Sequence, residues 1–379
     1  MTKTKKVKGG FPEKPRALDT CAHEVMEVMF NRILLAGLFA ILITSCADRQ
    51  SVFKIGREVV ASAPASEMDL AASASFDDPD LLGAIGVCYA MDSVVLLATS
   101  KCGYGYRAVN LYNHQTVNML PVGRGPDEVV TSMFSAVRKE GGKRLLDVTA
   151  LNELFFMSID LDASVREKKT VVVDKEDLPS SDAFVSFFVK GKDLSLCMYD
   201  EDNYSFKLYD RGNRTVLQTY QLFGDEPYLI QYYPQFGAVR KMKPDQSKLC
   251  LMMRYFDEIN VLDLEGTNHL SLSPPRKKKE DAAIIDEMLS SHTLTECTFY
   301  QSGCVTDDAI YGLYYGCSDQ EMEEGFLPSI RVFSWDGVLK AVYHLSEPLY
   351  SIVLSEDGHT LYGLTEDEVL YRYDLDGSY

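Results

Sequence analysis

The segment "FKLYDRG", residues 206–212, decides the predicted fold because five similar segments occur along the chain. Each begins with apolar and aromatic residues typical of a β-strand and ends in a polar or acidic turn. The turns recur about every 50 residues, the spacing expected for four-stranded propeller blades. The six segments are VNLYNHQ, MSIDLDA, FKLYDRG, NVLDLEG, RVFSWDG and YRYDLDG, with turn residues Asn113, Asp160, Asp210, Asp263, Ser334 and Asp374.

These repeats predict an all-β protein, a six-bladed β-propeller of four-stranded antiparallel blades. Five of the turns are followed, after one further strand, by a proline. Because proline cannot donate to a sheet ladder, it indicates the end of an outer strand. An array of β-sandwiches with prolines placed by chance is the alternative. The prolines are Pro126, Pro179, Pro227, Pro274 and Pro348.

The last repeat leaves its blade incomplete. Only five residues follow Asp374, too few for an outer strand. We therefore expect an N-terminal strand, residues 52–60, to pair with the blade that contains Asp374 and to close the ring. Pro64 follows this strand, as prolines follow the other outer strands.

The stretch "ILLAGLFAILITSC" combines an apolar run, residues 33–45, with Cys46. A membrane-spanning helix needs about 20 residues, so the shorter run matches the apolar core of a secretory signal, with Arg32 as its positive flank. Its ending, LITSC, resembles a bacterial lipobox, in which small residues precede a cysteine that is lipidated and becomes the mature N-terminus. A buried helix that ends in cysteine by chance is the alternative.

The chain is therefore expected to have two regions. Residues 1–45 form a signal region, with translation starting at Met29, because signal peptides begin close to the start of a chain. Residues 46–379 form the propeller. The sequence has 38 Lys and Arg against 56 Asp and Glu, a net charge of −18. A nucleic-acid partner is disfavoured because no basic surplus is available to neutralise phosphates.

The repeats, the lipobox and the segment VGRGPDEV, residues 122–129, resemble the six-bladed TolB-like propeller lipoproteins of Bacteroides-type bacteria. The resemblance covers residues 46–379. It implies a location in the bacterial cell envelope, lipid-anchored in the outer membrane and facing the periplasm. It implies no particular activity, because most of that family has no assigned function. The acidic tract that follows the cysteine in some surface-exported members is not evident in CADRQSVF.

No catalytic residue, metal site or cofactor is predicted. The histidines after Cys46 form no H-x-x-x-H pair and lie at no zinc spacing from a cysteine. The loop GRGPDE lacks the G-K-[ST] ending of a phosphate loop, so we interpret it as a crossover in which Gly123 and Gly125 permit positive φ. Seven cysteines follow Cys46, an odd number. Cys297 and Cys317 flank a predicted hairpin and could approach each other, but unpaired thiols are favoured.

The candidate ligand-binding residues are Arg124 and the adjacent Tyr232 and Tyr233. They lie in segments that should cross from one blade to the next over the mouth of the channel. Arginine and tyrosine suit a polar peptide or glycan, through charge-assisted hydrogen bonds and stacking. Alternatively, Arg124 pairs with Asp127 or with an acid of a neighbouring blade, and the tyrosines plug the channel.

The predicted function is a monomeric, lipid-anchored envelope propeller that binds or scaffolds an unidentified peptide, glycan or protein partner. Its contact with the membrane is through the N-terminal lipid. The alternative is a propeller-based hydrolase or lyase acting on sugars or peptides. Such an enzyme needs acids, a histidine or a metal converging at the channel mouth. The crossovers offer scattered carboxylates without a recognisable set, so binding is favoured over catalysis.

Overall fold

The structure is a computed structural model that describes residues 55–91, 93–100, 102–125, 128–178, 184–199, 205–221, 238–274, 283–284, 287, 290 and 297–375. The signal region, Cys46, Tyr232 and Tyr233 lie outside the described residues. No helix in the described part is long and apolar enough to cross a membrane.

The described residues form β-strands in six sheets, with two short α-helices between strands. The strands are β1 (Arg57–Val60), β2 (Ser66–Leu70), β3 (Ala74–Phe76), β4 (Ala84–Met91), β5 (Val94–Thr99), β6 (Tyr104–Asn110), β7 (Thr116–Pro121), β8 (Ser132–Glu140), β9 (Lys143–Ala150), β10 (Phe155–Asp160), β11 (Val172–Asp177), β12 (Phe184–Lys190), β13 (Leu194–Tyr199), β14 (Ser205–Asp210), β15 (Thr215–Gln221), β16 (Ala238–Met242), β17 (Lys248–Met253), β18 (Ile259–Asp263), β19 (Leu270–Ser273), β20 (Cys297–Val305), β21 (Ile310–Ser318), β22 (Ser329–Phe333), β23 (Leu339–Leu345), β24 (Leu349–Leu354), β25 (Thr360–Thr365) and β26 (Leu370–Asp374). The helices are α1 (Leu161–Glu167) and α2 (Asp319–Glu323), and Pro79–Leu81 forms one 3-10 turn.

The sheets confirm the predicted six-bladed propeller. Blades 1 to 6 begin with the inner strands β4, β8, β12, β16, β20 and β24, and each blade continues outward through four antiparallel strands. Within the described residues, inner strands of neighbouring blades contact each other in four pairs: β8 and β12, β16 and β20, β20 and β24, and β24 of blade 6 and β4 of blade 1. Because the strands alternate in direction, the hairpins between first and second strands all lie on one face, here called the hairpin face. The crossovers between blades lie on the opposite face, the crossover face.

Each predicted repeat forms the third strand of a blade and the turn that follows it. The turn explains why this position is acidic. The side chain there accepts hydrogen bonds from backbone N–H groups that the strand leaves unpaired. Asp210 Oδ1, for example, accepts from the backbone of Asn213 at 2.9 Å. In blade 1 the equivalent acceptor is Asn110, whose Oδ1 accepts from the backbone of Asn113 at 3.1 Å. The prediction therefore placed the first turn residue three positions too late.

The ring is closed by an N-terminal strand, as expected, but the predicted strand was wrong. The outer strand of blade 6 is β3, whose Phe76, Ser75 and Ala74 pair antiparallel with Leu370, Tyr371 and Arg372 of β26. The described part of the predicted segment forms β1, which pairs parallel with β19 of blade 4. The next strand, β2, pairs parallel with β23 of blade 5. The N-terminal segment thus runs along the outer rim of three successive blades before it completes the ring.

The position of β1 depends on a glycine. The N–H of Arg57 donates to the carbonyl of His269 at 2.9 Å. A Cβ on Gly56 would lie 2.0 Å from that same carbonyl oxygen. No side chain fits there without moving the backbone, so Gly56 permits the entry of β1 beside β19. Pro64 lies between β1 and β2, not after the closing strand as predicted.

The core lies between adjacent blades, where apolar faces of neighbouring sheets pack together. Phe156 of blade 2 and Phe187 of blade 3 are fully buried, with ring centroids 4.4 Å apart. Between blades 6 and 1, the hydroxyl of Ser351 accepts the backbone N–H of Val87 at 3.1 Å. Burying aromatic side chains is the main favourable contribution of such an interface to the free energy of folding.

An ion-pair network on the hairpin face connects blades 6, 1 and 2. Glu356, in the β24–β25 hairpin, accepts two hydrogen bonds from Arg144 of blade 2, at 2.7 and 3.0 Å. It also contacts Lys139 of blade 2 at 3.2 Å and the hydroxyl of Tyr89 in blade 1. Arg144 Nη1 in turn donates to Asp162 at 2.8 Å. Because blades 6 and 2 are not neighbours in the ring, this network spans the inner end of blade 1.

The first prediction concerns the charge of Glu356. Its hydrogen bond from Arg144 lowers its pKa from 4.5 to about 2. This contribution to stability is therefore present above pH 4.5 and is lost as pH falls toward 2. We expect Glu356→Gln to lower the free energy of unfolding by about 2 kcal/mol at pH 7. The loss should disappear as the pH falls toward 2. Denaturant titrations would measure it, with Glu323→Gln, at an exposed acid, as the control. A pH-independent loss would contradict the role of the charge.

The second prediction concerns closure. Deleting residues 47–62 removes β1 and leaves β3, so blade 6 remains complete. We expect a lower melting temperature with a single cooperative transition in differential scanning calorimetry. Extending the deletion to residue 77 also removes β2 and β3, which exposes open sheet edges at blade 6. The cooperative transition should then be lost. Equal behaviour of the two deletions would contradict closure by β3.

Candidate functional site

A cleft between blades 2 and 3 opens on the hairpin face and has a volume of about 600 Å³. One wall comes from β8, β9 and β11 of blade 2, and the other from the β12–β13 hairpin and the β14–β15 turn of blade 3. We call it the blade 2/3 cleft. Its lining residues are Arg138, Glu140, Lys143, Leu145, Val173, Asp174, Glu176, Val189, Gly191, Lys192, Asp193, Arg211 and Gly212.

The blade 2 wall is organised around a buried carboxylate. Asp147 is 1% exposed, and its two oxygens accept from Arg138 Nε and from the hydroxyl of Ser158, both at 2.7 Å. Burial raises the pKa of Asp147 to about 6, against the opposing effects of Arg138 and Ser158. Arg138 also pairs with Glu140 at the rim. The guanidinium of Arg138 is thereby held at the cleft surface between a buried acid and an exposed acid.

The opposite wall joins the two blades through Arg211. Its guanidinium donates to Glu176 at 2.7 Å and to Asp174 at 2.9 Å. These two acids lie two positions apart on β11, so both point to the same face of the strand. Burial opposes the charge of Arg211, but the hydrogen bonds that it donates to Glu176 and Asp174 keep its pKa above the ordinary value. Arg211 therefore stabilises the seam between the blades and lines the cleft.

The rest of the cleft is apolar or backbone. Its apolar surface comes from Leu145, Val173 and Val189. Its rim includes backbone at Gly191 and Gly212, which have no side chains. Mixed charge above an apolar surface suits a ligand that has charged groups of both signs, polar backbone groups and apolar side chains. An extended polypeptide has all of these.

Arg124, the one predicted ligand-binding residue that the structure describes, lies on the other face. It is exposed in the β7–β8 crossover, so it does not line the blade 2/3 cleft. Tyr232 and Tyr233 lie outside the described residues. The proposed grouping of these three residues therefore stays a prediction.

The glycines beside Arg124 have a different role from the one predicted. Neither Gly123 nor Gly125 has a positive φ. Instead, the Glu128 side chain folds back over the loop and accepts the N–H of Gly125 at 2.8 Å. A Cβ on Gly123 would lie 2.0 Å from a carboxylate oxygen of Glu128. The glycines thus make room for a carboxylate.

One group in the described part of the chain has three potential metal-ligating side chains: Asp78, Asp80 and His114, with ligand atoms within 4.8 Å of one another. Hydrogen bonds account for this arrangement. Asp78 Oδ1 caps the 3-10 turn by accepting the N–H of Asp80 at 2.9 Å, and Oδ2 contacts His114 Nδ1. We assign no metal site here.

No disulfide joins the cysteines in the described part of the chain. Burial raises the pKa of the Cys88, Cys250 and Cys304 thiols to about 12. These thiols are therefore protonated at neutral pH and do not act as nucleophiles there.

The third prediction concerns Asp147. A folded-state pKa of about 6, above the ordinary value of 3.8, means that the folded protein retains a proton that the unfolded chain releases. The contribution of Asp147 to stability is thus present below pH 4 and is lost as pH rises through about 6. As the pH rises from 4 to 7, we expect the free energy of unfolding of the Asp147→Asn variant to increase by about 3 kcal/mol relative to that of the unmutated protein.

Urea titrations of both proteins across this range would measure the difference. Glu323→Asn serves as a control, since that acid is exposed. A difference that stays constant across this range would show that the pKa of Asp147 is not raised in the folded protein.

Comparison with known proteins identifies no family. No family model matches the chain, and no curated protein matches it. Among solved structures, a chain from "Crystal Structure of Mitotic Checkpoint Complex" has 9% sequence identity and a TM-score of 0.43. The match covers 80% of this chain and 94% of that chain. A likeness at this level carries no argument about function, and the propeller assignment rests on the strand topology described above.

Proposed function

We propose that this chain is a lipid-anchored binding propeller of the bacterial cell envelope, and that its blade 2/3 cleft binds an extended segment of a partner polypeptide. The observation that carries the proposal is the cleft itself. It is about 600 Å³ in volume and combines cations, acids and apolar surface. Its volume lies in the range of known ligand sites.

The charges of the cleft favour a polypeptide over a phosphate or a nucleic acid. Arg138 and Arg211 are already paired with acids of the chain, so neither presents an uncompensated positive charge. Lys143 pairs with Asp160 at 3.1 Å. The overall net charge of −18 adds a repulsive field for polyanions. Polypeptide amides and side chains of either sign meet complementary groups here.

The same geometry favours binding over hydrolysis. A glycosidase or protease needs an acid or base that contacts the substrate. Asp147, whose pKa of about 6 would suit proton transfer, is 1% exposed behind Arg138. It orients Arg138 and has no access to a substrate. The hydrolase or lyase remains the alternative that the experiment below separates from binding.

The envelope location rests on the sequence LITSC, which ends at Cys46. Processed bacterial lipoproteins carry several acyl chains, which anchor stably where a single chain binds only marginally. The lipid would hold the propeller at the outer membrane, facing the periplasm, where its partner would be an envelope protein or peptide.

The fourth prediction tests the anchor. Cys46→Ser removes the thiol to which the lipid is attached. We expect the variant to leave the detergent phase in Triton X-114 partitioning, whereas Cys102→Ser, at a cysteine in a loop, should partition unchanged. Unchanged partitioning of Cys46→Ser would contradict lipidation at this residue.

Site-specific cross-linking tests the cleft. The lipidated protein would carry a photo-cross-linker at Lys192 in the cleft or, as a control, at the exposed Val338 of blade 5. We expect discrete protease-sensitive products from Lys192 only, and their loss when Val173→Asp charges the apolar surface. Products insensitive to protease would indicate a glycan instead. Shortened peptide or sugar products released by the purified protein would favour the enzyme.

A further inference from the structure

The outer edge of blade 3 has an unusual composition. Its outermost strand, β15, has the sequence TVLQTYQ, with no charged residue and no proline. Six of its seven residues are exposed, including Val216 at 48% and Leu217 at 54%. An exposed, uncharged edge strand is a template for pairing with another strand, and proteins normally protect such edges.

The other outer edges in the described part of the ring are protected. In blades 4 and 5, β1 and β2 cover the outer strands β19 and β23. In blade 1, the backbone of β7 is capped by Thr170, whose hydroxyl accepts the N–H of Leu120 at 2.8 Å. The edge of blade 2, β11, has the charged sequence DKED within it, and β3 of blade 6 has only three residues. Of these described edges, β15 is the one that is long, uncharged and exposed.

Blades 4 and 5 show what an outer edge of this ring accepts. Arg57–Val60 pairs in parallel with Leu270–Ser273, and Ser66–Leu70 pairs in parallel with residues 341–345. Both added strands are extended segments of four or five residues that run in the direction of the outer strand. The same addition to β15 would give blade 3 the five-stranded form of its neighbour, blade 4.

We infer that β15 binds an extended, uncharged segment of a partner protein as a fifth strand, parallel to β15. Main-chain hydrogen bonds would supply affinity, and the uncharged, exposed Gln218 and Thr219 would select against charged segments. A register shift in the β14–β15 pairing places a bulge at Leu217. The added strand should therefore pair with the regular part beyond it, residues 218–220.

Two other occupants fit less well. A second copy of the chain, paired by two-fold symmetry, would place the two β15 strands antiparallel, whereas both filled edges of this ring hold parallel strands. The second is the segment of this chain that precedes β1. If it paired with β15 of blade 3, the chain would then have to cross to blade 4 to form β1. Five residues make the equivalent crossing between β1 and β2, which would leave residues 47–51 for pairing. Their sequence, ADRQS, includes an acid and a base and lacks β-branched or aromatic residues.

The test uses the full chain and a fluorescein-labelled, end-blocked peptide of alternating threonine and valine. Fluorescence anisotropy measures its binding. Two matched peptides carry N-methyl groups on the odd or on the even residues. Only one edge of a strand faces the protein, so we expect one methylated peptide to lose binding by at least about tenfold and the other to keep it. Equal binding of both, or no binding of the parent peptide up to about 1 mM, would overturn the inference.

Protein variants then locate the site. Thr219→Lys should weaken peptide binding by about tenfold because it places a charge on the edge. Val338→Lys, at a site 48% exposed on blade 5, should leave it unchanged. Peptide binding that is lost with Val173→Asp and kept with Thr219→Lys would place the peptide in the blade 2/3 cleft and would overturn the inference. Thr219→Lys is compared only if its melting temperature matches that of the unmutated protein, and Gln218→Lys replaces it otherwise.

Direction and occupancy complete the test. A photo-cross-linker at the peptide N-terminus should label residues near Thr215, and one at its C-terminus should label residues near Gln221. The reversed pattern would overturn the parallel arrangement. A β15-dependent dimer in light scattering would identify a second copy as the occupant. About tenfold tighter peptide binding after deletion of residues 47–54 would identify the chain's own segment instead, and either result would overturn the partner proposal.

Discussion

Backbone pairing of Ala74–Phe76 with residues 370–372 joins the N-terminal and C-terminal parts of the propeller, and the ring depends on this contact. Without β3, blade 6 would lack its outer strand and β26 would become an exposed edge. Inter-blade burial is favourable only while each sheet is held against both neighbours. The three residues of β3 thus stabilise the whole interface between blade 6 and blade 1, because they hold blade 6 in the position where the two blades meet.

The hairpin face adds a second, electrostatic constraint. Lys143 and Arg144 are consecutive, yet they serve different structures: Lys143 lines the blade 2/3 cleft, whereas Arg144 binds Glu356 of blade 6. The β8–β9 hairpin of blade 2 therefore borders the cleft and is also tied to blade 6. Charges that stabilise the ring also shape the cleft, because Arg138 and Arg211 each bind an acid of the chain while facing the ligand space. This pairing explains why the cleft is polar without being strongly charged.

The sequence predicts the repeat well because its marker has a local cause. Asp210 and Asp263 each end a strand, and their side chains cap the turn that follows. An acidic residue therefore marks the end of the third strand directly in the sequence. The closing strand has no such marker. Residues 52–60 are richer in β-branched and aromatic residues than Ala74–Phe76. Pairing with β26, however, is set by where the N-terminal segment arrives after crossing two other blades. That path is a tertiary property which strand composition does not encode.

The candidate site is harder to predict for the same reason. Arg211 meets Glu176 across 35 positions, and Arg138 meets Asp147 only through the register of a hairpin. The alternating acids of VVDKED were a usable signal, since acids two positions apart on an edge strand share a face. Arg124 was placed correctly in a crossover, whereas the reason given for its neighbouring glycines was wrong. Their close neighbour is the carboxylate of Glu128, which folds back from three and five positions away.

Cysteine pairing across the closing seam tests the central claim most directly. Ser75 and Tyr371 lie opposite each other in the β3–β26 ladder, so the variant Ser75→Cys with Tyr371→Cys should form a disulfide under mild oxidation, detected by mass spectrometry. The control variant, Val59→Cys with Tyr371→Cys, places one cysteine in β1 on blade 4 and should form none. A disulfide in the control variant and none in the first would contradict closure of the ring by β3.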